Sequence, residues 1–200
     1  MLPIEQNLSL LERMLEEFEL FILSAEVFWP LAQGGIRGTP LPRLTIGGLL
    51  LILDELTALN PKMTPKQAMR HDRLLRKFEG MLEKWRVAIE NKAIQELQAR
   101  LNLWRAYLHD LEEQPEWIEN YPREVRTRVM MEHLIAIIGP NPDLEVEFQA
   151  IKYLDDRIHN FLLPGEFIWE DPLQQLYPRD TFPFLYMRPR DSIIRSFSDR

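Results

Sequence analysis

Along this chain apolar side chains recur mainly at spacings of three and four, and fifteen prolines cut that pattern into segments. Helical periodicity therefore dominates over the alternation expected of strands. Ile4, Leu8, Leu11, Leu15, Phe18, Ile22, Ala25 and Trp29 make one apolar stripe, which predicts an amphipathic helix ending at Pro30. The Gly- and Pro-rich stretch LAQGGIRGTPLPR reads as a loop. Thr45 is placed to cap the next helix, LTIGGLLLILDEL, which is apolar nearly all round and stops at Asn60-Pro61 because proline disfavours a helical residue before it. Such a helix belongs at the centre of a core, and Gly47 and Gly48 would let a neighbouring helix approach closely.

Thr64-Pro65-Lys66-Gln67 matches a capping box with proline in the first helical position. From Pro65 no proline follows until Pro115, and Leu75, Phe78, Leu82, Trp85, Ile89, Ala93, Leu97, Leu101, Trp104, Leu108 and Leu111 keep one face apolar. About 48 unbroken residues would span roughly 70 Å. A domain of this size has no need of that length, so a break, a kink or a projection is expected. Gly80 is one weak point, and the successive four-residue steps of Ile89, Ala93 and Leu97 mark a stutter. A fourth helix is predicted from about Pro122 to Ile138, ended by Gly139-Pro140; Asn141-Pro142 then opens a fifth, with the stripe Leu144, Phe148, Ile151, Leu154, Ile158 and Phe161. After Pro164-Gly165 the chain is dense in aromatics and proline and keeps neither period. Its aromatic content sets it apart from a solvated disordered tail.

The chain has 200 residues, 46% of them hydrophobic and 28% charged, which suits one domain with a sizeable core. With no cysteine there is no disulfide framework, zinc–thiolate site or thiol nucleophile, and a reducing, cytoplasmic setting is the natural expectation. Acidic groups stand where a signal peptide would carry a positive region, so export by that route is not expected. The apolar run from Leu44 stops at Asp54, well short of the roughly 20 residues a bilayer requires. The net charge of −7 is uneven: residues 60–86 hold eight Lys or Arg against three acids. An acidic whole argues against nonspecific nucleic-acid binding, while the local basic stretch remains a candidate surface.

Two groups of residues carry the candidate chemistry. Asp54 and Glu55 end the apolar helix, so they line a candidate polar pocket; the structural alternative pairs them with an arginine such as Arg100 or Arg105. Lys62, Lys66, Arg70, Arg73 and Lys77 recur at three and four, giving a positive stripe that suits an acidic protein surface better than nucleic acid, since no helix-turn-helix or aromatic platform accompanies it. In the C-terminal arm Trp169, Phe182, Phe184 and Tyr186, with Tyr177 and Phe197, either seal the bundle or form an interface. Glu26 continues the polar face of Glu12 and Glu19. Of the histidines, His109 shares a face with Arg105 and Glu113, and Asp156-Arg157-Ile158-His159 is the nearest approach to a Glu-x-x-His metal element, without a second copy. Phosphate-loop, nucleophile-elbow and zincin motifs are all missing.

These readings converge on an all-α fold: a helical bundle of about five helices, antiparallel at its centre, with one long helix, kinked or broken. The bundle is assigned to 1–163 and an irregular arm, packing on the bundle or on a partner, to 164–200. Catalysis is the less economical function. A non-enzymatic interaction or scaffold protein, oligomeric or bound to another protein and requiring no cofactor or metal, is expected. The alternative is a helical bundle that binds or transforms a small molecule near Asp54 and Glu55.

Overall fold

A computed structural model describes residues 3–32 and 41–190, which leaves the Gly34-Gly35 pair and Phe197 outside the described part. The described residues form six α-helices: α1 (Ile4–Leu23), α2 (Ile46–Leu59), α3 (Pro65–Lys84), α4 (Arg86–Glu113), α5 (Tyr121–Ile138) and α6 (Glu145–Ile158). Two short strands follow, β1 (Leu162–Pro164) and β2 (Met187–Pro189), paired antiparallel with Leu163 opposite Arg188. Helix thus dominates as the periodicity predicts, and among the described residues no helix is long and apolar enough to cross a membrane.

Two boundaries differ from those the stripes suggest. The first helix ends at Leu23 rather than Pro30. There the Ser24 hydroxyl donates to the Phe21 carbonyl and accepts from the Glu26 amide, so the side chain competes for the backbone groups that would continue the helix. Trp29 is instead extended, exchanging backbone hydrogen bonds with Leu44 and donating its indole N–H to Glu17 at 2.8 Å. The long third stripe is two helices, broken at Trp85, where φ −114° and ψ 21° leave the helical range. Gly80 lies inside α3 and does not break it.

The predicted caps form. Thr45 accepts from the Gly48 amide at 2.9 Å, Thr64 and Gln67 make the reciprocal capping box, and Gly139 in the left-handed region (φ 67°) follows the end of α5. At Gly48 a Cβ would lie 2.9 Å from the Thr45 hydroxyl oxygen, so this glycine makes room for its own cap rather than for a neighbouring helix.

The chain divides into two compact units. The first comprises Met1–Glu96 and His133–Ile138. Here α1 packs on α2 and on α3, burying Leu8, Leu11, Met14, Phe18 and Phe21 of α1, Leu49, Ile52 and Leu56 of α2, and Leu74 and Phe78 of α3. Phe18 meets Phe78 edge to face with ring centroids 5.9 Å apart. Between Leu44 and Leu59 every Leu and Ile except Leu50 is buried, each contributing about 1.5–3 kcal/mol on burial. That is the central core helix the sequence implies.

The second unit comprises Leu97–Glu132 and Gly139–Arg200. Its core draws on Trp104, Leu108 and Leu111 of α4, Tyr121 and Val125 of α5, and Ile151, Leu154 and Ile158 of α6. The described part of the aromatic arm folds into this core through the β1–β2 pair.

Candidate functional site

Asp54 and Glu55 are adjacent in α2 and lead to different neighbours. Oδ2 of Asp54 sits 2.9 Å from Nε2 of His133, both side chains about a quarter exposed or less. Glu55 is buried and accepts from the Asn7 side-chain amide at 3.0 Å. His133 and Asn7 are partners that sequence spacing could not reveal, because the separations are purely tertiary. Arg105 donates to Asn102. Both carboxylates thus have internal contacts within the first unit, of a kind that fastens helices.

A third carboxylate, and the second that is buried, escaped the sequence analysis. Glu96 of α4 is fully buried and accepts from the amides of Ile46 at 2.7 Å and Gly47 at 3.1 Å. With Thr45 on the Gly48 amide, the first free N–H groups of α2 are satisfied. A cationic counterpart closes α1: Nζ of Lys92 donates to the carbonyls of Ser24 at 2.7 Å and Glu26 at 3.0 Å. Burial lowers the Lys92 pKa, opposed by the Glu26 charge.

The basic stripe sorts into two faces of α3. Arg70, on the side toward α1, pairs with Glu5 at 2.6 Å and Glu12 at 2.5 Å. Burial works against its charge, but Glu12 and Glu5 outweigh it and raise its pKa. Arg73 also reaches Glu12, at 3.1 Å, but its side chain is 67% exposed. Lys84 meets Glu19 at 3.3 Å, so these pairs ascend α1 and α3 together and the two helices run in the same direction. Exposed pairs of this kind contribute little to stability, about 0–1 kcal/mol each.

Toward the outer side, Lys66, Met69, Arg73 and Arg76, with Arg70 at the inner edge, line a shallow hollow of about 570 Å³. Lys66, Arg76 and Lys77 have no carboxylate partner among the described residues, and Met69 between them is 74% exposed. The stripe was readable from spacing, whereas Met69 and Arg76 were not selected. Their signal was available: Met69 lies three residues after Lys66 and four before Arg73, on the same face.

The aromatic candidates are inside. Phe182, Phe184 and Tyr186 are buried in the second unit, and Trp169 is half-buried with its indole N–H on the Pro122 carbonyl at 2.8 Å. Trp169, Tyr177, Phe182 and Phe184 form a chain of edge-to-face contacts at 5.5, 4.9 and 5.9 Å. The Tyr121 hydroxyl donates to the Phe184 carbonyl at 2.7 Å, and the Tyr186 hydroxyl to that of Tyr177 at 2.8 Å. Buried Arg128 lies 4.5 Å from the Phe184 ring centroid and bridges Asp155 and Glu132 at 2.9 and 2.8 Å. Burial raises the Asp155 pKa against the pull of Arg128. Of the two alternatives for these rings, sealing a core is the one observed.

His109 is exposed, 3.9 Å from Glu113. Among the described residues no three His, Asp or Glu side chains converge as a metal site would require. No protein-family model, curated protein or solved structure matches the chain.

Proposed function

We propose that this protein is a non-enzymatic, cytoplasmic interaction protein that docks an acidic protein surface on the outer face of α3. The supporting observation is the basic hollow: Lys66 and Arg76, with no carboxylate partner among the described residues, and the largely exposed Arg73, which also reaches Glu12, surround an exposed methionine. Positive charge around an adaptable apolar side chain suits a partner that brings carboxylates and an apolar residue together. The net charge of −7 disfavours a polyanionic duplex, whose phosphates would be repelled by the rest of the molecule.

The alternative, a ligand or catalytic pocket at Asp54 and Glu55, draws on the Asp54–His133 contact, since a carboxylate can orient an imidazole for proton transfer. Glu55 lends it less, because its carboxylate already holds Asn7.

Placing a photo-crosslinking residue at Met69, in the intact chain and the native cell, tests the docking reading. Adducts to acidic segments are expected, and their yield should drop about tenfold when Lys66, Arg73 and Arg76 are changed together to Glu. Adduct yield indifferent to that charge reversal would remove the basis for this function.

A further inference from the structure

We propose that the occupant of this surface is an acidic amphipathic helix lying along α3 and approaching closest at Gly80; the inference rests on the docking reading above.

Lys66, Met69, Arg73, Arg76 and Gly80 follow one another at spacings of three and four, so they share one face of α3. From Lys66 to Lys84 that face is about 27 Å long, the length of a helix of about 18 residues. Gly80 stands within it, fully inside the helix, and a Cβ built there would meet nothing within 4 Å. A glycine destabilises a helix relative to alanine. Among the described residues nothing uses the space it opens. What it does achieve is to lower the ridge of side chains on the outer face, where a second helix backbone could then settle closer than over any larger residue.

A hollow lies on each side of this notch. The first is the basic one around Met69. The second, of about 440 Å³, is at the α3–α4 break and is lined by residues including Lys84, Trp85, Val87 and Asn91. Each holds one strongly exposed apolar side chain, Met69 at 74% and Val87 at 69%. In the second hollow the cations already have carboxylates, Lys84 with Glu19 and Arg86 with Glu90, so an incoming charge gains little there. A matching helix therefore carries its acids over Lys66 and Arg76, which have no carboxylate partner among the described residues, and an apolar residue at each end, one on Met69 and one on Val87. An extended acidic chain would satisfy the cations equally but would make no use of the notch between the exposed Met69 and Val87.

Fluorescence anisotropy of the full chain with labelled synthetic probes tests this. The probes are an 18-residue helical peptide bearing a Glu stripe and terminal leucines, a proline-interrupted peptide of equal charge, and a Lys-for-Glu counterpart of the first. Expected is binding of the first about tenfold or more tighter than either other. Gly80→Leu should weaken it about tenfold, with the fold verified by circular dichroism, and Gly80→Ala should weaken it less while raising the melting temperature. Equal binding of the proline-interrupted peptide, or indifference to Gly80→Leu, would overturn the helix while leaving acidic docking in place. Failure of every acidic probe would also overturn the helix, and Met69 adducts that persist and still depend on Lys66, Arg73 and Arg76 would leave acidic docking in place. Loss of those adducts as well would overturn both. Met69 adducts to a second copy of this chain would overturn the foreign helix in favour of self-association.

Discussion

The carboxylate of Glu96 in α4 lies 2.7 Å from the amide nitrogen of Ile46, the first residue of α2. It thereby supplies from a distant helix the negative charge that a helix N-terminus favours, in a site fully closed to solvent. Hydrogen bonds to a buried charge are worth about 1.5–3 kcal/mol, so Glu96→Ala should destabilise the protein by about 2–3 kcal/mol. Glu96→Gln, which retains one acceptor, should cost less. Urea unfolding of both variants measures the difference; an alanine variant as stable as the parent would show that the cap contributes nothing.

Much of the fold was legible because its signals are local. Thr64 and Gln67 are three residues apart, so their box could be read directly, as could the Gly139 stop and the apolar surround of α2. Break and site partners were harder for physical reasons. Trp85 departs from helical geometry without proline or glycine, in a stripe that continues from Phe78 through Ile89; the stutter beginning at Ile89 pointed within about a turn of it. Gly80 drew suspicion as a breaker, yet a single glycine costs too little to interrupt 20 helical residues. Ser24 ends α1 by a hydrogen bond that spacing does not encode. In the basic stripe, charge and period were visible, but the split between Arg70 turned inward and Arg76 turned outward depends on where α1 packs.

His71 introduces a dependence on pH. It shares the buried face of α3 with Leu74 and Phe78, and neither ring nitrogen has a hydrogen-bond partner. Burial lowers its pKa below the ordinary histidine value, against a weaker opposing pull from Asp72. In the unfolded chain it takes a proton near pH 6.5, whereas the folded chain resists doing so. The unfolded state therefore binds more protons below about pH 6.5, and stability is full above that value and falls as pH drops toward the folded pKa. His71→Leu should flatten this decline, so that its urea midpoint changes less than the parent's between about pH 7.5 and 5. Parallel declines in the two proteins would rule His71 out as their source.

Arg128 holds the second unit together by charge in a place where charge is costly. Its guanidinium is buried, bridges Asp155 and Glu132, and lies against Phe184. Removing one partner of a buried pair leaves the other uncompensated, at about 3–5 kcal/mol. Arg128→Ala should therefore destabilise by that order, and Arg128→Met with Asp155→Leu and Glu132→Gln should recover most of the loss, because an apolar pair of similar volume carries no desolvation penalty and no carboxylate is left without its partner. A compensated variant as unstable as the single one would point to the Phe184 packing instead, and thermal melts of the three proteins decide between these.

Gly80 separates stability from function most directly. Every position along an exposed helix face is open to a better helix former, and alanine there should add up to about 1 kcal/mol, since nothing lies within 4 Å of where its Cβ would sit. Were the position merely structural, that gain would come free of any functional loss. If the notch admits a partner helix, the same methyl group enters the closest point of contact, and the more stable protein binds more weakly. Opposite signs in a urea titration and in the Met69 crosslinking yield are the expected result for Gly80→Ala. A variant that gains stability and crosslinks as well as the parent would show that the glycine admits nothing.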